Sequence, residues 1–344
     1  MEEYIIKNVV KNSEKTGKQI AIRKSRSENL VLRSDARKIS NDALVGEVVS
    51  IVGKDVVVET IIEGKLLEVH CVQTGTIVSK SKYSNLIATG DIVYFLYEKN
   101  GLSKIVKVAE RITKFSRISP ANRNREQIIA ANIDTLLIFT SIFDPDLNTM
   151  FIDRLLVSAI LNKIKPIICV NKIDLSKSRK FINDLLLQYK KMKIEVHCIS
   201  VLEELGIDKL KKKIINKKVL ISGVSGAGKS SFLNSILGYK AQVVKEISER
   251  TNKGIHTTSF SKRYRLSDKG WIIDTPGIRE FGIWDLSKEE IGVIFPDFAN
   301  YYLHCKYTSC THTHEPDCAV INAVNNEKID INRYNSYLNI YDSL

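Results

Sequence analysis

No run of apolar residues in this chain of 344 approaches the roughly 18–20 needed to cross a bilayer. The longest, around Leu136, Leu137, Ile138 and Phe139, has only the length of a buried strand. The opening Met1-Glu2-Glu3 lacks the basic-then-apolar order of a secretory leader. These absences predict a cytoplasmic protein with no membrane partner. No internal repeat is present, which argues against a solenoid. Acidic residues are in deficit: 39 Asp and Glu face 52 Lys and Arg, a net charge of +13. A basic chain without a membrane segment points to nucleic acid, because Lys and Arg displace counterions from phosphates; the plainer reading is solubility. Cysteine is scarce, with six residues. Cys71, Cys169 and Cys198 stand alone in apolar, strand-like contexts and are expected in the core. Cys305, Cys310 and Cys318 cluster with histidines, which in a reducing compartment favours a metal over disulfides.

The length suggests two or three domains, and 44% hydrophobic residues is ample for packed cores. Residues 1–40 read as a basic flexible tail, either a solvated terminus or an arm that orders on RNA. Residues 41–113 carry strand patterns at 45–52, 55–62, 65–72, 92–97 and 103–108, punctuated by Gly53, Gly64, Gly90-Asp91 and Asn100-Gly101. Five short strands fit a small β-barrel such as an OB-fold, or an unrelated barrel or sandwich. From Asn132 the pattern becomes α/β, within a domain taken as residues 114–285. Strand-like runs at 135–141, 166–170, 195–200, 218–222 and 270–273 alternate with helical ones at 151–161, 180–191, 208–215 and 229–237, predicting a mainly parallel sheet. Residues 286–344 read as short helices around a Cys/His knot, a small helical metal-binding domain.

The chemistry lies in the α/β segment. Gly223-Val224-Ser225-Gly226-Ala227-Gly228-Lys229-Ser230 follows a strand pattern, and Ser231 continues into a helical one. This is a P-loop. Its glycines let backbone N–H groups converge on phosphates at a helix N-terminus. Lys229 is expected on the β- and γ-phosphates and the Ser230 hydroxyl on Mg²⁺. Asp274-Thr275-Pro276-Gly277 follows another strand pattern; it supplies a carboxylate near Mg²⁺ and a backbone N–H for the γ-phosphate. Thr257-Thr258 lies between these motifs, where one threonine completes the Mg²⁺ shell. Asn171-Lys172-Ile173-Asp174 reads the base. The Asp174 carboxylate accepts from guanine N1–H and N2–H; adenine has no donors there, so the charge would stay unpaired. Ser200, at the end of the next strand pattern, is placed to add a backbone contact. The cofactors implied are GTP or GDP with Mg²⁺, and the competing ATPase reading is disfavoured by Asp174.

The motif order is rotated. The base-reading motif precedes the phosphate loop, whereas an ordinary GTPase places it last. A circular permutation explains this, because the site's chemistry depends on positions in space and not on chain order. Many GTPases orient the attacking water with a Gln directly after Asp-x-x-Gly, but here that residue is Ile278. His256, just before Thr257-Thr258, is the best replacement, since a neutral imidazole can accept a hydrogen bond from water; alternatively it packs the loop. Gly226 stands where potassium-dependent GTPases commonly carry Asn, so potassium activation is not expected.

Cys305-x4-Cys310-x-His312-x5-Cys318 offers three soft ligands and one imidazole, a closed tetrahedral set for one structural Zn²⁺. His304 and His314 compete with His312 for the fourth position.

In its motif order, the chain resembles the RsgA (YjeQ) family of circularly permuted GTPases. The likeness also lies in the stretch from Asp274 through Arg279-Glu280-Phe281-Gly282-Ile283-Trp284-Asp285-Leu286, in His314-Glu315-Pro316-Asp317-Cys318-Ala319-Val320 and in Gly254-Ile255-His256-Thr257-Thr258. It spans roughly residues 41–325. The resemblance implies an N-terminal OB-fold, a permuted GTPase domain and a C-terminal zinc domain. It implies a monomer that binds the small ribosomal subunit and its rRNA late in maturation, with GTP hydrolysis stimulated by the subunit and dependent on His256. Ile255 replaces a commonly basic residue, and Asp317 stands where Gly is usual. A different reading is an RNA-binding module that senses guanine nucleotide with little hydrolysis. In the permuted order the Asp274–Gly277 switch leads directly into the zinc domain, so a nucleotide-dependent shift could pass straight to it.

Overall fold

The structure is a computed structural model and describes residues 42–73, 85–176, 178–238, 261–274 and 282–344. The basic tail, His256, Thr257, Thr258, Gly277 and Ile278 lie outside these residues.

Alternating Val and Ile in the first segment build five strands: β1 (Leu44–Val52), β2 (Asp55–Ile62), β3 (Lys65–Gln73), β4 (Ile92–Leu96) and β5 (Ser103–Val108). They run in the order β1-β2-β3-β5-β4, and β4 pairs back with β1 to close a barrel. β3 and β5 are parallel and the other pairs antiparallel, which is the OB-fold arrangement. Val48, Val58, Cys71, Val93 and Phe95 fill its interior. β1 pairs with β4 through Gly46 and with β2 from Glu47 onward; a Cβ on Gly46 would lie 2.4 Å from Val58 Cγ1, so this barrel corner admits only glycine. Asp91, fully buried, is held by Arg111 through two hydrogen bonds of 2.6 and 2.7 Å.

Next in the chain is a hairpin that the sequence patterns did not reveal, made of β6 (Lys114–Ser119) and β7 (Asn122–Ala131). Its polar run Asn122 to Arg125 hides the strand signal. It bridges the barrel and the more C-terminal part of the chain. The Ala131 amide donates to the Thr89 carbonyl at 2.9 Å, and the Ile118 amide to the Gly282 carbonyl at 3.0 Å.

The α/β segment forms strands β8 (Thr135–Ser141), β9 (Lys165–Asn171), β10 (Glu195–Cys198), β11 (Lys218–Gly223), β12 (Lys262–Arg265) and β13 (Trp271–Asp274). Their order is β10-β9-β8-β11-β13-β12, parallel except for β12. β12 was not legible, since its charged sequence Lys-Arg-Tyr-Arg carries no apolar alternation. Helices α1 (Thr149–Leu161), α2 (Arg179–Lys191), α3 (Ile207–Ile214) and α4 (Lys229–Leu237) cover the sheet. Leu136 and Ile138 of β8 join a core with α1 and α2, while Leu137 and Phe139 join one with α3 and α4; the period-two alternation thus serves two buried faces. Of the three solitary cysteines, Cys71 and Cys169 are in the core, but Cys198 is only half-buried because β10 is the sheet edge.

The C-terminal segment holds α5 (Lys288–Ile294), capped reciprocally by Ser287 and Glu290, then α6 (Ala319–Asn325) and α7 (Ile331–Asp342). It packs on the α1 face in the same core as Leu155 and Leu156. Arg333 of α7, 1% exposed, pairs with the fully buried Asp153 of α1 and with Asp297, and Tyr189 of α2 donates to Asp153 at 2.8 Å. Burial pushes the Asp153 carboxyl upward and the Arg333 charge opposes that rise. Arg333→Met removes the counter-charge and leaves Asp153 buried without it. The expected cost is about 3–5 kcal/mol, checked by thermal and urea unfolding.

Candidate nucleotide site and Cys/His cluster

Strand connections run outward on both sides of the β8–β11 boundary: β8, β9 and β10 proceed one way, and β11 returns to the other side of β8. In an open parallel sheet, ligands bind in the crevice at the carboxyl ends of the strands where the order reverses. The phosphate loop and the base-reading motif both emerge at that crevice.

Buried Val219, Leu220 and Ile221 carry β11 to Gly223. A Cβ at Gly223 would lie 1.8 Å from the Phe139 carbonyl, so glycine lets the loop leave against β8. Gly226 and Gly228 adopt φ of +83° and +91°, which L side chains rarely take. Val224, Gly228 and Ser230 are half-buried, Ser225, Gly226 and Ser231 exposed and Ala227 buried. The Lys229 ammonium folds over its own loop, donating to the carbonyls of Gly223 at 2.9 Å and Val224 at 2.7 Å. Asp274 ends β13 beside Ile221 of β11 and is 5% exposed, which brings its carboxylate to the same strand ends.

Asn171 closes β9 and joins three loops. Its Nδ2 donates to the Ala227 carbonyl at 2.9 Å, and its Oδ1 accepts from the Val201 amide at 3.1 Å. A Cβ on Gly228 would meet that Nδ2 at 2.5 Å, so the glycine also makes room for the brace. Lys172 comes next with φ of +63°, and a short 3₁₀ turn, Ile173–Leu175, presents Asp174. Ser200, fully buried, donates its hydroxyl to Asp174 Oδ1. Its main chain is committed elsewhere, to Leu205 at 3.0 and 2.9 Å. The Ser200 main chain is thus engaged with Leu205, and its hydroxyl meets the Asp174 carboxylate.

The loop after β8 was missed by sequence reasoning. Lys172 Nζ donates to the Asp144 carbonyl and lies 3.4 Å from its carboxylate. Ser141 Oγ donates to the Pro145 carbonyl at 2.7 Å, and a Cβ on Gly226 would contact the Pro145 ring at 3.4 Å. The signal was available: an Asp-Pro turn closely succeeds a fully buried strand.

The four Cys/His ligand atoms lie within 4.8 Å of one another. His312 Nδ1 is 3.5 Å from the sulfurs of Cys305 and Cys318, and those sulfurs are 3.8 Å apart. Among the competing histidines, His314 is exposed with Nδ1 on Thr313 Oγ1 at 2.8 Å, and His304 lies outside the group. The ligand loop is fastened from behind: Tyr334 and Tyr337 donate to the carbonyls of His312 and Thr311 at 2.7 and 2.5 Å. Gly292 leaves no room for a Cβ, which would fall 2.9 Å from the His312 ring. Burial would raise the Cys305 thiol, but hydrogen bonding from His312 and backbone amides overcomes it and brings it to about 7. A thiol so poised, beside two more sulfurs and an imidazole, is a donor set suited to a soft divalent cation.

Asn171→Ala deletes two hydrogen bonds and leaves the buried Ala227 carbonyl and the Val201 amide unpaired. A loss of about 1–3 kcal/mol per orphaned group is expected. Weaker binding of a fluorescent guanine nucleotide should accompany a lower unfolding midpoint.

A profile of the RsgA GTPase family matches residues 108–284. The chain is 37% identical over 312 residues to a Chlorobaculum parvum protein named small ribosomal subunit biogenesis GTPase RsgA, covering 88% of this chain and 99% of that one. It is 38% identical over 311 residues to the protein of the same name from Chlorobaculum tepidum, again covering 88% and 99%. The crystal structure of YjeQ from Thermotoga maritima superposes with a TM-score of 0.67 at 27% identity, over 88% of this chain and 98% of that one. YloQ, described as a circularly permuted GTPase, shares the fold with a TM-score of 0.65 at 23% identity, over 89% and 96%. With its barrel, its permuted motif order and its two loops braced at one crevice, the chain belongs to the RsgA GTPase family and is a GTP hydrolase.

Proposed function

We propose that this GTPase binds the small ribosomal subunit and its rRNA, and that the subunit stimulates GTP hydrolysis late in maturation. The observation that carries the nucleotide part is the Asn171 brace, which joins a guanine-reading loop to a phosphate loop at one crevice. The subunit part is supported by near-full-length likeness to relatives named for small-subunit biogenesis. A net charge of +13 suits an RNA partner. In this reading the chain acts as a cytoplasmic monomer, with residues 1–40 a basic tail, 41–113 an OB-fold, 114–285 the GTPase domain and 286–344 a zinc domain.

Each residue then has a task. Backbone amides from Gly223 to Gly228 and at Ser231 surround the phosphates at the start of α4, and Lys229 turns from its loop carbonyls to the β- and γ-phosphates. Ser230, Asp274 and one of Thr257 and Thr258 hold Mg²⁺, which when bound neutralises phosphate charge. Gly277 offers its amide to the γ-phosphate. Asp174, oriented by Ser200, accepts from guanine, and Lys172 flanks the base. His256 accepts a hydrogen bond from the attacking water. Cys305, Cys310, His312 and Cys318 hold one structural Zn²⁺, leaving no open ligand position.

A turnover assay with GTP and ATP, with and without purified small subunits, tests this. GTP but not ATP should be hydrolysed, faster with subunits, and His256→Ala should lose the stimulated rate by about 10²–10⁴-fold, the range of general-base contributions. Nucleotide binding without stimulation would favour the nucleotide-sensing RNA module, a reading kept open by Ile278. Elemental analysis should find one zinc per chain. Its removal by a chelator should lower the unfolding temperature, because binding of a structural metal contributes folding free energy.

A further inference from the structure

β12 is the strand through which the barrel touches the nucleotide sheet. It starts at Lys262, shortly after Thr257-Thr258 in sequence. Its partner β13 ends on Asp274, and Lys262 and Asp274 are ladder partners. β12 is therefore bracketed by the two motifs to which Mg²⁺ and γ-phosphate contacts are assigned. As a strand it is weak: four residues, with one ladder pair to the barrel, Ser50 with Lys262.

Charge holds it instead. Glu47 of β1 and Glu59 of β2 are direct cross-strand partners. Like charges directly opposite one another destabilise a sheet, so the barrel carries a conflict that it does not resolve by itself. The nucleotide sheet resolves it. Arg263, with its side chain 5% exposed, sends Nη1 to Glu47 at 2.9 Å and Nη2 to Glu59 at 2.5 Å. Arg265 reaches Glu59 at 2.7 Å, and Lys218 of β11 reaches Glu47 at 3.0 Å. The Trp271 ring lies beneath Arg263 and Lys218 at 5.6 and 5.4 Å. Burial would raise the Glu59 carboxyl, but hydrogen bonds from Arg265 and Arg263 hold it below the usual range.

We propose that Glu47, Glu59, Arg263 and Arg265 are positioning residues for the subunit-stimulated rate of GTP hydrolysis alone, fixing β12 by the pose of the barrel so that a small subunit bound to the chain sets, through the barrel, the geometry of the strand between the switch threonines and Asp274. A buried guanidinium divided between two barrel carboxylates moves with any tilt of the barrel, because losing either partner leaves charge uncompensated. For binding, though not for the hydrolysis rate, such a coupling is reciprocal: a nucleotide state that favours one pose of β12 and β13 favours the matching pose of the barrel by the same free energy. This inference rests on the reading that the small subunit stimulates hydrolysis.

The test uses the full-length, zinc-loaded protein as wild type, Glu59→Gln, Arg265→Gln and Arg265→Lys. Basal GTP turnover, turnover with purified small subunits, co-sedimentation with subunits and thermal unfolding are measured for each. Glu59→Gln and Arg265→Gln should keep basal turnover and co-sedimentation within about twofold of wild type while the subunit-stimulated rate falls about tenfold, a typical size for coupling between sites. Arg265→Lys, which keeps the charge, should retain most of the stimulation. Arg265 is half-exposed, so its variants keep the test available if Glu59→Gln unfolds. Full stimulation in both Gln variants overturns the proposal. So does an equal fall in basal and stimulated rates, which is the signature of a merely structural role. If the wild type itself is not stimulated, the subunit-dependent reading fails and this inference with it, a result visible before any variant is made.

Discussion

The side-chain amide of Asn171 holds together backbone segments that are far apart in sequence: the phosphate loop at Ala227, the base-reading turn that Asn171 itself begins, and the Val201 loop. Neutral hydrogen bonds of this kind contribute modestly when made, but leaving a buried carbonyl or amide unpaired is costly. The brace thus fixes the distance between the Asn171–Asp174 turn and the Gly223–Ser230 loop. Other features adapt to it. Gly228 must lack a Cβ, Gly223 must press against Phe139, and β9 must lie one strand away from β11 across β8. Ser200 and Lys172 then orient Asp174 and the neighbouring Asp144-Pro145 turn around the same point.

Among the described residues, two buried arginines join the central sheet and its helices to the flanking segments. Arg333 joins the Cys/His segment to α1 and α2 through Asp153, Asp297 and Tyr189. Arg263 joins β12 to the barrel through Glu47 and Glu59. Guanidinium suits these junctions because its fixed fork satisfies two carboxylates at once. Apolar packing adds to the first junction, where the C-terminal aromatics Phe295, Phe298 and Tyr337 share the core of α1. The second is mainly electrostatic and leaves β12 a short strand. Gly282 and Ile283 pair with Ile118 and Arg117 of the β6–β7 hairpin shortly before α5 begins.

The fold was legible where one physical signal dominated. Apolar strands β2, β5 and β8 have the bounds that alternation or continuous hydrophobicity predicts, and α4 begins where the glycine-rich loop ends. β12 and the β6–β7 hairpin were not legible, because their polar and charged residues are explained only by partners elsewhere in the chain. Arg263 reads as a surface residue until Glu47 and Glu59 are seen beneath it. The Cys/His cluster illustrates the intermediate case. Spacing identified three cysteines and a choice of histidines, and packing against Phe298 and Gly292 selects His312 from His304 and His314.

Residue type and spacing made the motifs legible. A carboxylate at Asp174, glycines at the phosphate loop and a Cys/His set are set by residue type and spacing, because local backbone geometry and donor chemistry need no distant partner. How those motifs meet depends on tertiary contacts: Asn171 spends its amide on bracing, the Ser200 hydroxyl donates to Asp174 while its main chain pairs with Leu205, and a like-charged pair in the barrel is neutralised by β12. Hydrogen bonds and charge pairs between residues distant in sequence depend on the closure of the whole sheet, and no local pattern of residues encodes that closure.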